Sequence, residues 1–136
     1  MAKSRSQNKK SSGESTTTVN TAYFLNGTQN PVTLKIFIGD KGQSGDSVIS
    51  LDNVIIGKNL KGDIEMMVGT NQELAGKVLD ITTTVLDLSR ETNKTEVTVS
   101  LTGGIAEREY FLNEEVKNEG DLVPYSMIFR FKKINK

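Results

Sequence analysis

The chain has 136 residues, 17 basic against 17 acidic side chains, and no His, Cys or Trp. That length suits one domain with a core of its own. The missing residue types exclude disulfides, thiolate metal sites, cysteine nucleophiles and any mechanism that runs on an imidazole. No stretch approaches the roughly 18 consecutive apolar residues of a membrane span, so no membrane partner is expected.

The first fifteen residues read MAKSRSQNKKSSGES, a basic start without an apolar h-region or a small-residue cleavage site. A secretory signal is therefore not expected. Ala2 stands where myristoylation requires glycine, and no prenylation box closes the chain, so the expected compartment is the cytoplasm. Residues 1–18 are almost wholly polar and cannot bury enough surface to offset their ordering entropy, which predicts a disordered tail. Lys3, Arg5, Lys9 and Lys10 oppose only Glu14 there. Those four charges offer nucleic acid a weak electrostatic contact, and a solubilising tail is the preferred reading.

Residues 19–136 read as a single domain of strands separated by turns. The candidate strands are Val19–Leu25, Val32–Ile38, Val48–Ile56, Ile64–Val68, Val78–Leu88, Thr95–Leu101, Ile105–Leu112 and Val123–Lys133. Clusters of Gly, Asn, Asp and Pro separate them, as strand-ending turns require. Period two is plain in Val32/Leu34/Ile36/Ile38, in Val97/Val99/Leu101 and in Tyr125/Met127/Phe129/Phe131, with Ile128 off the pattern. One dry face and one wet face produce that alternation.

Four local signals sharpen the picture. Val48–Ile56 is interrupted by Asp52-Asn53, where a bulge or tight bend is expected, of the kind that carries a strand between sheets. Thr70-Asn71-Gln72-Glu73 has capping-box spacing and predicts at most one helical turn before Gly76. Leu79, Ile81 and Val85 share one parity and Leu86 and Leu88 the other, predicting either a bulge near Thr84 or a central strand buried on both faces. Gly103-Gly104 predicts a two-residue primed turn pairing Thr102 with Ile105, Leu101 with Ala106, Val99 with Arg108 and Val97 with Tyr110. Arg108 is then a misfit on an apolar face, either an inward charge guarding an edge or a side chain snorkelling from the rim.

Few residues point to chemistry. Gly69 to Lys77 has neither the spacing nor the Ser/Thr of a phosphate loop, and it reads as a surface connection. Asp40 and Asp46 in GDKGQSGD are weak candidates for cation ligands, since Asp oxygens suit calcium, but the EF-hand pattern is absent. Glu114, Glu115, Glu119 and Asp121 in NEEVKNEGD form a second weak ligand-loop candidate, with Glu107 and Glu109 nearby. Paired carboxylates can cleave glycosides only when one is held protonated in an apolar pocket, and this polar stretch predicts no such burial. The one Ser-x-x-Lys spacing, Ser6 to Lys9, falls in the tail. Sugar stacking is disfavoured with only Tyr23, Tyr110 and Tyr125 and no Trp, and Tyr110 and Tyr125 lie on apolar faces where core packing is expected. Asn26-Gly27-Thr28 and Asn93-Lys94-Thr95 match a glycosylation sequon and are read as turns.

The expected architecture is thus all-β, an antiparallel β-sandwich of seven to eight strands, Greek-key or jelly-roll-like, behind a disordered N-terminal tail. No catalytic residue, metal site or cofactor is assigned. The expected function is a non-catalytic protein-interaction or structural subunit, docking by sheet edges or loops onto a protein partner or a second copy. The alternative is a ligand-binding module for a cation, glycan or other small molecule, using loops at the sandwich ends.

Overall fold

The computed structural model describes residues 16–39, 43–87, 94–116 and 120–134. Among these described residues nine strands form two packed sheets. In chain order they are β1 (Thr18–Leu25), β2 (Pro31–Ile38), β3 (Gln43–Leu51), β4 (Val54–Lys61), β5 (Ile64–Thr70), β6 (Val78–Asp87), β7 (Lys94–Thr102), β8 (Arg108–Glu115) and β9 (Leu122–Lys133). A single helical turn, α1 (Asn71–Leu74), follows β5. One sheet runs β1-β9-β6-β3-β4 and the other β5-β2-β7-β8. The protein is an all-β sandwich, as the alternation predicts. No helix among the described residues is long and apolar enough to cross a membrane.

The expected tail lies outside the described residues up to position 15, but its last three positions belong to the body. Thr16 exchanges backbone hydrogen bonds with Asn113 at 3.1 and 2.9 Å, and Ser126 N donates to Thr17 O at 2.9 Å. From there β1 runs parallel to β9, whereas every other strand pair is antiparallel. A parallel pair needs a long crossover, and here the whole remaining domain lies between its two strands.

The core is the set of inward-facing residues of both sheets. β9 supplies Val123, Tyr125, Met127, Phe129 and Phe131, all buried, and β2 supplies Val32, Leu34 and Ile36. Ile128, off pattern in the sequence, sits half-buried on the outer face. The box at Thr70 forms as read: Glu73 N donates to Thr70 Oγ1 at 3.1 Å, and Thr70 N donates to Glu73 Oε1 at 3.0 Å. These bonds hold the Glu73 carboxyl below the usual carboxylate range.

Three local expectations are corrected. Asp52 and Asn53 take φ of 49° and 66°, the two positive values of a primed hairpin turn. The segment Val48–Ile56 therefore splits into β3 and β4 of one sheet instead of crossing between sheets, which raises the strand number to nine. β6 is central, between β9 and β3, but it keeps an unbroken register with both and buries one face only. Its apparent phase change arises because Thr83 fills an inner position and Leu86 an outer one. Thr83 is tolerated there because Ser47 lies directly opposite, and the two buried hydroxyls bond at 2.8 Å.

The third correction concerns Gly103-Gly104. The first β7–β8 pair is Leu101 with Arg108, followed by Val99 with Tyr110 and Val97 with Leu112. This is two residues off the expected register, so every side chain keeps its expected face. The turn is wider because both glycines are hemmed in, Gly103 by the start of neighbouring β2 and Gly104 by β1 of the other sheet. A Cβ on Gly103 would lie 2.1 Å from Pro31 O, and one on Gly104 would lie 2.6 Å from the Tyr23 ring. Gly104 N donates to Tyr23 Oη at 3.0 Å, and Tyr23 Oη donates to Ala106 O at 2.8 Å. Arg108 is exposed, at the rim.

A second phenol ties the sheets at the opposite end. Tyr125 Oη of β9 donates to Thr95 O of β7 at 3.1 Å and also contacts Thr95 Oγ1. The Thr95 hydroxyl reaches on to Glu114 O at 3.2 Å.

Two predictions follow from these contacts. Gly103 combines φ of 101° with a blocked Cβ direction, whereas Gly27 has φ of 77° and open space around it. Gly27→Ala should cost about 1 kcal/mol, and Gly103→Ala about 3 kcal/mol because strain and collision add. Urea midpoints measure both, and equal losses would refute the close approach. Burial pushes the Tyr23 and Tyr125 phenols above the usual range. The folded chain therefore holds those protons to higher pH than the unfolded chain, whose phenols titrate near about 10. Stability is unaffected below that pH and falls as pH rises above it. Tyr125→Phe should lose about 1–2 kcal/mol at neutral pH yet decline less steeply in alkali.

Candidate functional site

The six carboxylates singled out in the sequence do not form one site. Asp40 and Glu119 lie outside the described residues. Glu114, Glu115 and Asp121 do approach one another, around a cleft of about 430 Å³ that Thr17, Val116, Leu122, Val123 and Pro124 complete. Glu114 and Glu115 are successive residues at the end of β8, however, and successive strand side chains leave opposite faces. Neither can serve as the close partner of the other. Among the described residues no group of three His, Cys, Asp or Glu side chains is placed to hold a metal ion.

Asp46, expected in a loop, is part of β3. It stands opposite Lys61 of β4, and Lys61 Nζ lies 3.2 Å from Asp46 Oδ2. Both side chains line a groove of about 500 Å³ on the outer face of the five-stranded sheet, together with Val48, Thr82, Leu86 and Leu122. Asp46 Oδ1 is buried there and has no hydrogen-bond partner among the described residues. Tyr110 and Tyr125 pack where expected, with Tyr125 fully buried and the Tyr110 ring 5.4 Å from that of Phe129.

What the side chains offer to solvent is more distinctive than any polar cluster. Val54, Ile55 and Ile56, consecutive on β4, are 63%, 56% and 37% exposed. Three successive apolar residues cannot all face inward on a strand of period two, so the sequence held a signal here that went unread. β4 is an edge strand whose pairing with β3 shifts twice, between Ser47 and Ile49 and between Ile49 and Ser50. Ile56 falls at the second shift, and because β4 is an edge strand beside a hairpin turn, Val54 and Ile55 both stay exposed although their partners Leu51 and Ser50 lie on opposite faces of the sheet. On the other sheet Phe37 and Phe111 are 44% and 67% exposed. Both stand out of phase with the inward residues of their strands.

Compared with known protein families, with curated proteins and with solved structures, the chain matches none of them.

The Asp46–Lys61 pair is solvent-accessible, and exposed pairs of this kind contribute about 0–1 kcal/mol. Asp46→Asn should therefore shift stability by less than about 1 kcal/mol. The gap should close in 1 M salt, where the screening length falls to about 3 Å. A larger, salt-insensitive loss in urea titrations would show that the pair is structurally critical.

Proposed function

We propose that this chain is a non-catalytic interaction or structural subunit of a cytoplasmic assembly, and that it docks through the β4 edge of its five-stranded sheet. The observation that carries this reading is the exposed run Val54-Ile55-Ile56. Solvent-facing strands normally alternate, and a run of three exposed apolar residues is unfavourable unless something covers it. Full burial of such a side chain is worth roughly 1.5–3 kcal/mol, and about half of that remains to be gained here, so three of them together can anchor an interface.

The two register shifts of β4 decide the style of docking. Bulges twist an edge away from continuous backbone pairing. Contact is therefore made by the apolar side chains, with backbone groups secondary. The residues lie next to the Asp52-Asn53 turn, so they form a ridge at a hairpin tip that enters an apolar recess without steric hindrance from neighbouring strands.

Light scattering over a concentration series tests this on the full chain. Self-association is the expected result, and Ile55→Lys should weaken it at least tenfold while leaving thermal stability nearly unchanged, because Ile55 touches little of the core. A chain that stays monomeric at millimolar concentration would overturn docking onto a second copy.

A further inference from the structure

The outer face of the four-stranded sheet differs from that of its partner sheet in both aromatic content and charge. Register places its side chains in rows across the strands. One row holds Glu65, Lys35, Ser100 and Glu109, and the next holds Phe37, Thr98 and Phe111. Beyond them Glu96 lies opposite Asn113, and Lys94 opposite Glu115. Two exposed phenyl rings thus flank Thr98 within a frame of four carboxylates and two amines. The outer face of the five-stranded sheet has the reverse balance, with Asp46 and Asp80 against Lys61, Arg130 and Lys132.

An exposed phenyl ring presents its negative face to a cation, and neighbouring carboxylates add to the same field. Such a surface suits extended chain rich in Lys and Arg. Residues 1–15 of this protein contain Lys3, Arg5, Lys9 and Lys10 against Glu14, and the body from residue 16 onward is net acidic by the same margin. They join the body at Thr16, which is paired with Asn113. Asn113 stands on the same face as Phe111, two residues along β8. Fifteen residues reach up to roughly 50 Å, while four strands measure about 15 Å across. Tethering at that point raises the effective concentration of the four cations over the two rings.

We infer that residues 1–15 dock in cis on the outer face of the four-stranded sheet, with their Lys and Arg side chains over Phe37 and Phe111. This contact is distinct from the β4 edge and stands whether or not that edge docks anything. High salt should weaken this contact.

The chain has no cysteine, so Ser6→Cys gives a single attachment point for a nitroxide label on the otherwise intact protein. Amide signals of Lys35, Thr98, Ser100 and Phe111 should lose at least half their intensity relative to those of Asp80 and Thr82 on the opposite outer face. Replacing Lys3, Arg5, Lys9 and Lys10 with Gln should restore them, and Phe111→Ala, at an exposed position, should restore them in part. Equal broadening of both faces, or a pattern unchanged by the four Gln substitutions, overturns the inference. A mixture of labelled chain with isotope-enriched unlabelled chain completes the test. Broadening across chains would assign the face to a second copy's residues 1–15 and overturn docking in cis.

Discussion

The Tyr23 hydroxyl is the contact on which the arrangement of the four-stranded sheet depends. It accepts from Gly104 N and donates to Ala106 O, so both of its hydrogen-bonding roles are used inside the interface between the sheets. The same end of the sandwich holds Asn71, fully buried, whose side chain accepts from Asn26 N and donates to Asn30 O and Gly103 O. A buried amide left without partners would cost several kcal/mol. Every polar atom of this one is satisfied, and together they hold the β1–β2 turn, α1 and the β7–β8 connection in one geometry. Ile105 N, donating to Phe24 O at 3.0 Å, closes the same cluster.

That cluster fixes more than its own neighbourhood. Because the connection after Gly103 is held against β1, β8 cannot return through a two-residue turn, and Leu101 meets Arg108 instead of Ala106. The two-residue displacement leaves the facing intact but moves every β8 side chain one row along the sheet. Phe111 thereby comes level with Thr98 and Phe37, and Glu109 level with Ser100 and Lys35. The composition of the outer face, aromatic pair and acidic frame included, is therefore set by hydrogen bonds buried some distance away. Packing of the inner face favours the same register, since the narrower turn would set the Arg108 charge opposite buried Val99, where Tyr110 stands instead.

Much of the fold was legible because a strand with one dry face writes its orientation into alternate residues. β2, β7 and β9 do so along most of their inner sides, and the capping box at Thr70 is equally local. The misreadings share a cause: a residue's local preference and its tertiary duty carried the same signature. Gly103-Gly104 looks identical whether glycine is needed for positive φ or for close approach to Pro31 and Tyr23. Thr83 looks like an outward residue until Ser47 is found opposite it. The acidic positions were grouped by closeness in sequence, yet Asp46 lies within a strand, and Glu114 and Glu115 diverge across one. Phe37 and Phe111 stand out of phase with the inward residues of their own strands, but their coming into one row depends on pairing across three strands, which no single segment encodes.

The edges of the two sheets show what kind of contact such a sandwich can make. Along β8 the outward backbone groups of Asn113 are already taken by Thr16. Along β4 two bulges break the ladder, and Asn59 adds a positive φ of 55°. Neither β4 nor β8 offers an uninterrupted backbone template, which is one way sandwiches avoid uncontrolled strand addition. Contact along these two edges then falls to side chains, and these are of two unlike kinds placed on opposite sheets. An apolar ridge at Val54–Ile56 demands a partner that excludes water, whereas an acidic aromatic face demands one that brings positive charge. Because one responds to buried area and the other to ionic strength, the two surfaces can be occupied independently, by different segments and under different conditions.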